Sequence, residues 1–264
     1  MLGLSRYQWL VLFAAWLGWG FDVFDGLLFN YVAPICVPNL LHLNPAAPET
    51  AATVWTYTAN LTSLLLVGWA VGGIVFGRIA DHLGRSRTLL LTMLVYALST
   101  AACAFAQNIY VLAGFRFLAS LGIGGEWAAG AALVAESLPF SKRVLGGALL
   151  YTSAPAGLFL ATFVNDLFTH KLSGIAGDPS LSWRAVFLTG LVPAAVAVLI
   201  RMRVHEPEVF KKPEAAPRIA ELFSARYRRR TLVASRSRSS PWLPGGAAAR
   251  SFRWWRAFWL RARP

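Results

Sequence analysis

Six stretches of mostly apolar residues dominate this chain: 9–31, 56–76, 88–106, 109–134, 145–167 and 183–200. Each is close to the roughly 20 residues that cross a bilayer. Hydrocarbon has no water to satisfy a free N–H or C=O, so such a stretch is viable there only as a helix that bonds its own backbone. The expected fold class is all-α: a polytopic membrane protein with a six-helix transmembrane bundle over residues 1–203. The first stretch is too long for a secretory leader and carries Asp22 and Asp25. With no small-residue cleavage site close behind it, it is expected to be retained.

Charge decides the orientation and removes one class of partner. The formal net charge is +13, but Lys and Arg number nine against eight acids up to residue 200, and sixteen against four beyond it. The excess is a property of the tail, so nucleic acid is not expected as a partner. With the N-terminus inside, Arg6, Arg78, Arg85, Arg87, Lys142, Arg143, Arg201 and Arg203 fall on the cytoplasmic side. The outer loops then keep only Lys171 and Arg184, which is the positive-inside asymmetry of a multi-pass protein. The expected location is a bacterial inner membrane, with the N-terminus and the C-terminal tail cytoplasmic and the lipid bilayer as the contacting phase.

Ionisable side chains inside a span are costly unless they pair or face water, so each marks a candidate site. The first stretch carries Asp22 and Asp25, three residues apart and hence on one helix face. They read either as a proton or substrate site in a central cavity or as a structural polar pair. The fourth stretch carries Arg116, too deep to reach the lipid surface, which is expected to pair with those aspartates. Glu126 in the same stretch reads as a proton carrier or as a packing hydrogen bond between helices. Around it Ser120, Gly122, Gly124, Gly125, Ala128 and Ala129 offer a small-residue surface for close helix approach. The four histidines lie in loops or at boundaries, Cys36 and Cys103 lie in apolar stretches, and no catalytic motif is present. No metal, cofactor or enzymatic activity is expected.

Residues 73–87 follow the pattern G-x-x-x-G-R-x-A-D-x-x-G-R-x-R, with Gly73 and Gly77 spaced for a close helix contact and Asp81 among arginines at a membrane boundary. This resembles the loop between helices 2 and 3 of the major facilitator superfamily. The run GIGGEWAAGAALVAESLP from Gly122, with WGFDVFDGLLFNYVAP from Trp19, resembles that superfamily's proton symporters of organic acids, in particular the sialate and lactate branch, and is similar to the neighbouring branches for aromatic acids and for other metabolites. The resemblance implies twelve helices in two halves, and proton-coupled symport of a small organic anion, such as a monocarboxylate or a sialic-acid-like acid, with the proton gradient as driving force. It matches Arg116 to a helix-4 arginine linked to proton coupling; read from the residues themselves, Asp22 and Asp25 are expected to serve coupling or cavity polarity, Arg116 to pair with them or contact the anion, and Glu126 to carry the proton. Gly73, Gly77, Arg78, Asp81, Gly84, Arg85 and Arg87 become a cytoplasmic gate, in which Asp81 is expected to accept the free N–H groups where the third helix begins. Ser120 stands where the branch has glycine, and Ala154-Pro155-Ala156-Gly157 keeps only part of the antiporter pattern, which favours symport. No obligate protein partner is implied. A non-transporting truncated fragment, or a transporter of another metabolite or sugar, is the alternative.

The resemblance runs from Arg6 to Ala234, about half of such a transporter. Residues 204–234 read as a cytoplasmic linker with Pro207, Pro213 and Pro217. Residues 235–264 carry seven arginines and no acid, which suits a shifted reading frame, or an Arg/Trp-rich segment at the anionic inner leaflet. The loop charges generate a direct test: reporter fusions at residues 82 and 141 should report cytoplasm and fusions at 47 and 176 the outside. Inversion at any two of these sites would sink the six-span topology.

Overall fold

The computed structural model describes residues 4–201 together with Ser224, Arg228 and Arg229, and among them every regular element is a helix. The chain divides into two units, Met1–Pro213 and Glu214–Pro264. In the second, the Arg228 N–H donates to the Ser224 carbonyl at 2.8 Å. Nearly all of the expected linker and tail, with Arg203, lies outside the described residues.

The first unit runs through α1 (Arg6–Leu41), α2 (Pro48–Leu83), α3 (Arg85–Cys103), α4 (Ile109–Ser137), α5 (Arg143–Tyr151), α6 (Ser153–Asp166), α7 (Ser173–Ala176), α8 (Pro179–Leu188) and α9 (Leu191–Arg201). Local chemistry sets these ends. Ser5 and Gln8 form a reciprocal capping box at the start of α1. Gln8 Nε2 also donates to the Ser137 carbonyl at 3.1 Å, tying that end to the last turn of α4. Asn108 caps α4 through the N–H groups of Tyr110 and Val111 at 3.1 and 2.9 Å, and Asp178 caps α8. His42, in the left-handed region at φ 53°, closes α1.

Two expected boundaries move. Each of α1 and α2 is 36 residues long. The first continues through Pro34 and Pro38, although each proline lacks the N–H for the carbonyl four residues back. The second starts at Pro48, because proline's fixed φ suits the first helical turn, eight residues before the apolar stretch expected from residue 56. At the other end Gly84, at φ 96°, alone separates α2 from α3. Asp81 therefore sits in the last turn of α2 and caps nothing; Gly84 holds the cap position of α3.

Among the described residues, five segments are long and apolar enough to cross a membrane: α1, α2, α3, α4 and the run Phe140–Lys171 that contains α5 and α6. The sixth expected span falls on α8 and α9 in series. The ladder breaks between them into tighter bonds, Thr189 N–H to Val186 and Gly190 N–H to Phe187 at 3.2 and 3.0 Å. Pro193 offers no N–H for the Thr189 carbonyl, and Gly190 lies so close to the Thr100 side chain that a Cβ would sit 2.7 Å from it.

In cross-section α4 is the hub, packed along α2 and α3, while α1 lies against α4, α6 and α8. Lipid removes the hydrophobic drive between helices, leaving packing and small residues to hold them. The outer face of α2 is apolar, with Leu66, Val67, Val71, Ile74 and Val75 exposed. Its inner seam is made by Gly68 and Gly72. A Cβ on Gly72 would collide with the Leu121 backbone, and one on Gly124 with the Trp69 backbone. Gly73 and Gly77, singled out from the motif, are looser: a Cβ there would lie at an ordinary 3.5 Å from the Gly124 carbonyl and 3.8 Å from Ala128. The close contact thus lies nearer the middle of the span than the motif suggests. Gly72→Leu should therefore destabilise the detergent-purified chain by at least about 1–3 kcal/mol, read as a lowered thermal midpoint, with Gly73→Ala close to the parent. Equal midpoints for the two variants would remove the seam from the account.

Candidate functional site

Asp22, Asp25, Arg116 and Glu126, singled out inside the first and fourth stretches, are all buried, and the structure sorts them into two pairs. In the first, α4 presents Arg116 to α1: Nη1 lies 3.2 Å from Asp25 Oδ2, and Nη2 donates to the Asp25 carbonyl at 3.4 Å. The other carboxylate oxygen, Oδ1, accepts a short hydrogen bond from Thr100 Oγ1 on α3. Phe29, one turn further along α1, lies with its ring centroid 5.8 Å from the guanidinium carbon. Both charged side chains are only 2% exposed. Taking such ions from water costs several kcal/mol each, which only a well-bonded partner offsets. Here one aspartate answers one arginine, and Thr100 satisfies what remains of the carboxylate.

In the second pair Asp22, one helical turn before Asp25, turns to Glu126 of α4. The two were not expected together: Arg116 was expected to engage both aspartates, but the register of α4 carries it to Asp25 alone. Glu126 Oε1 occupies the space over Gly18, where any Cβ would collide with it. Among the described residues, no hydrogen-bond donor meets the carboxyl oxygens of Asp22 and Glu126. The Tyr96 hydroxyl on α3 and the Trp19 indole N–H are likewise buried and unpartnered. Unlike Asp25, this acid pair has no cation bonded to it among the described residues.

Sequence reasoning missed the contribution of α3. Thr88, Thr92, Tyr96 and Thr100 recur every four residues, all with no exposure, and so form one polar stripe turned into the bundle. The period of four was visible, but each residue is uncharged and so passes inside an apolar run.

At the other end of the site helices, Arg85 opens α3 and reaches three groups. It lies 2.9 Å from Asp81 Oδ1, its Nε lies 3.2 Å from Glu136 Oε1 of α4, and its Nη1 donates to the Ala80 carbonyl at 2.7 Å. Arg78 and Arg87 are exposed nearby in sequence. Glu136 was not among the expected gate residues. Its signal was an acid at the membrane boundary ending the fourth span, opposite a basic loop. The cluster joins the ends of α2, α3 and α4 through one guanidinium, which has the donors for several acceptors at once.

With the geometry in place, comparison with known proteins assigns the family. The profile described as Major Facilitator Superfamily matches residues 8–262, past Ala234 where the motif resemblance ends. A Haemophilus influenzae protein named "Putative metabolite transport protein" is 33% identical over 213 residues, covering 81% of this chain and 47% of its own length. The sialic acid transporter NanX of Escherichia coli K12 is 27% identical, with 75% and 44% covered. The chain thus spans about half the length of the curated relatives it matches. Among solved structures, the proton:xylose symporter XylE shares the fold at a TM-score of 0.67 and 17% identity, over 77% of this chain and 46% of that one. The chain is a multi-pass membrane protein that belongs to the Major Facilitator Superfamily, a family of transporters and not of enzymes.

Proposed function

We propose that this bundle is one half of a proton-coupled symporter that takes up a small organic anion, a monocarboxylate or a sialic-acid-like acid, across a bacterial inner membrane. The observation that carries the reading is the division of the buried charges into one compensated and one uncompensated pair. Asp25 and Arg116 neutralise each other. Asp22 and Glu126 meet with no cation between them, which is the arrangement a transported proton can occupy and leave. The groups facing that pair are Asp25 on the same helix, Tyr96 on α3 and Trp127 on α4. A substrate carboxylate is the natural competitor for Arg116, because it can offer the guanidinium two oxygens where Asp25 gives it one carboxylate oxygen. The name of the sialic acid relative supports the anion class.

In this reading the Asp81–Arg85–Glu136 cluster is the gate on the cytoplasmic side, with the N-terminus and the tail in the same compartment. A transport cycle in this architecture rocks two six-helix bundles about a central site. Uptake is therefore assayed with the bundle joined to a second half, and with the 264-residue chain alone for comparison. Vesicles under an imposed inward proton gradient should accumulate radiolabelled lactate or sialate, and an uncoupler should abolish this. Glu126→Gln should remove the gradient-driven component while keeping exchange of preloaded substrate, since exchange needs no net proton movement. Full gradient-driven uptake by that variant would refute proton carriage by Glu126.

The compensated pair gives an independent measurement. Arg116→Gln leaves Asp25 buried without its cation and should cost about 3–5 kcal/mol in detergent unfolding. Adding Asp25→Asn should recover most of that loss. A double variant no more stable than the single one would mean that the two side chains are not energetically linked.

A further inference from the structure

Away from the acids, α1 carries Arg6, Trp9, Phe13 and Trp16 at spacings of three, four and three, which sets the four side chains in one row. Lys142, directly before α5, begins a second row of the same spacing with Leu145, Leu149 and Thr152. The rows join where Trp16 Nε1 donates to Thr152 Oγ1 at 2.9 Å. They also start at one end of the bundle. Gln8 is bonded to the Ser137 carbonyl, five residues before Lys142, and a Cβ on Gly146 in the first turn of α5 would lie 3.9 Å from Leu12. Between the rows runs a groove of about 230 Å³ lined by Trp9, Leu12, Phe13, Trp16, Leu149 and Thr152. Leu12, 3% exposed, is its floor, and Phe13, 56% exposed, is part of an open wall. The Phe13 and Trp16 rings are nearly parallel, 9° apart, with centroids at 6.2 Å.

The closed end of the groove has no polar capacity to spare. The Trp16 N–H is bonded to Thr152, and the Thr152 hydroxyl donates its own proton to the Leu149 carbonyl at 2.7 Å. A sugar or a carboxylate pushed there would give up hydrogen bonds to water and regain none, so the part of an occupant that lies there is apolar. The mouth is the opposite. Arg6 is exposed and Lys142 partly so, and among the described residues no acid pairs with either. Glu136, the acid at this end of α4, is already bonded to Arg85. Arg143 adds a third cation, with its Nε on the Leu138 carbonyl at 3.3 Å. Length narrows the choice further. From Arg6 to Trp16 the helix rises about 15 Å, which is half of the roughly 30 Å hydrocarbon core, the depth of one leaflet.

We propose that the groove between α1 and α5 binds one anionic phospholipid, with an acyl chain along Trp9, Phe13 and Trp16 and the phosphate at Arg6 and Lys142. A negative head group, a chain as long as a leaflet is deep and no polar group at its far end are what the mouth, the length and the closed end each require. A zwitterionic lipid fills the groove equally well but gains less at the mouth, because its head carries a cation of its own. The site is separate from the buried acids and independent of what the bundle transports.

The test uses the full chain in phosphatidylcholine nanodiscs doped with one of two probes, a phosphatidylglycerol or a phosphatidylcholine with a diazirine in one acyl chain. After illumination, mass spectrometry measures labelling of residues 6–16 and 142–152 relative to the apolar outer face of α2, residues 66–75. Each cation near the membrane surface favours an anionic head group about fivefold, so the groove should prefer the phosphatidylglycerol probe by at least that factor over the α2 reference. Arg6→Gln with Lys142→Gln should bring the preference down to that of the reference. Leu149→Trp, which fills the groove, should reduce labelling of residues 6–16 by both probes. Should the double variant not purify as a monodisperse protein, Arg6→Gln alone, at an exposed side chain, should lower the preference in its place. Equal labelling by the two probes, or labelling untouched by Leu149→Trp, would overturn the proposal. A preference that survives the charge substitutions would overturn it and place the lipid on the arginines of residues 235–264 instead. A groove labelled by neither probe would overturn it as well, and would show that protein covers this face.

Discussion

An arginine and an aspartate with almost no exposure, on helices set in hydrocarbon, leave the bundle little freedom. Arg116 is always charged, so wherever α4 sits it must bring a carboxylate with it or bear a buried bare cation. Asp25 is that carboxylate, and its second oxygen takes Thr100 of α3. Three helices are thereby held in one rotational setting by a single set of polar contacts. Glu126 follows from the same setting. It lies ten residues after Arg116 on one continuous helix, so fixing Arg116 against Asp25 fixes where Glu126 meets α1, over Gly18 and beside Asp22.

The second constraint is steric and works from the opposite flank of α4. With Gly68 and Gly72 facing Ser120, Leu121 and Gly124, the backbones of α2 and α4 approach until side chains no longer fit between them. That closeness delivers the Trp69 ring to Trp127. The polar flank and the glycine flank of α4 thus serve one end: the first aligns the acids, and the second draws an aromatic from α2 up to them.

Much of this was legible in the residues themselves. Span positions follow from apolar length, family membership from the Gly73–Arg87 pattern and the Glu126 region, and the suspicion of Asp22, Asp25, Arg116 and Glu126 from charge inside apolar runs. What was not legible is the phase of one helix against another. Asp22 and Asp25 share a face when α1 is considered alone, yet neighbours three residues apart meet different partners once α4 crosses them. The same ignorance of phase placed the tight glycine contact at Gly73 and Gly77 when Gly68 and Gly72 make it. It also assigned Asp81 to a cap that a single-residue turn at Gly84 takes instead. Glu136 and the Tyr96 stripe were passed over because an isolated terminal acid and uncharged polar residues carry no signal until a third helix supplies the partner.

That single-residue turn has a mechanical side. A loop of several residues would absorb a displacement of α2 before α3 felt it. Gly84 has no slack to give, and Arg85, the next residue, is bonded back to Asp81 and Ala80 of α2 and across to Glu136 of α4. Tilting any one of these three helix ends loads the other two through bonds shorter than a single residue's reach. The α2–α3–α4 corner therefore behaves as a stiff bracket, and motion of this half has its compliance elsewhere, at the prolines of α1 and the broken ladder between α8 and α9.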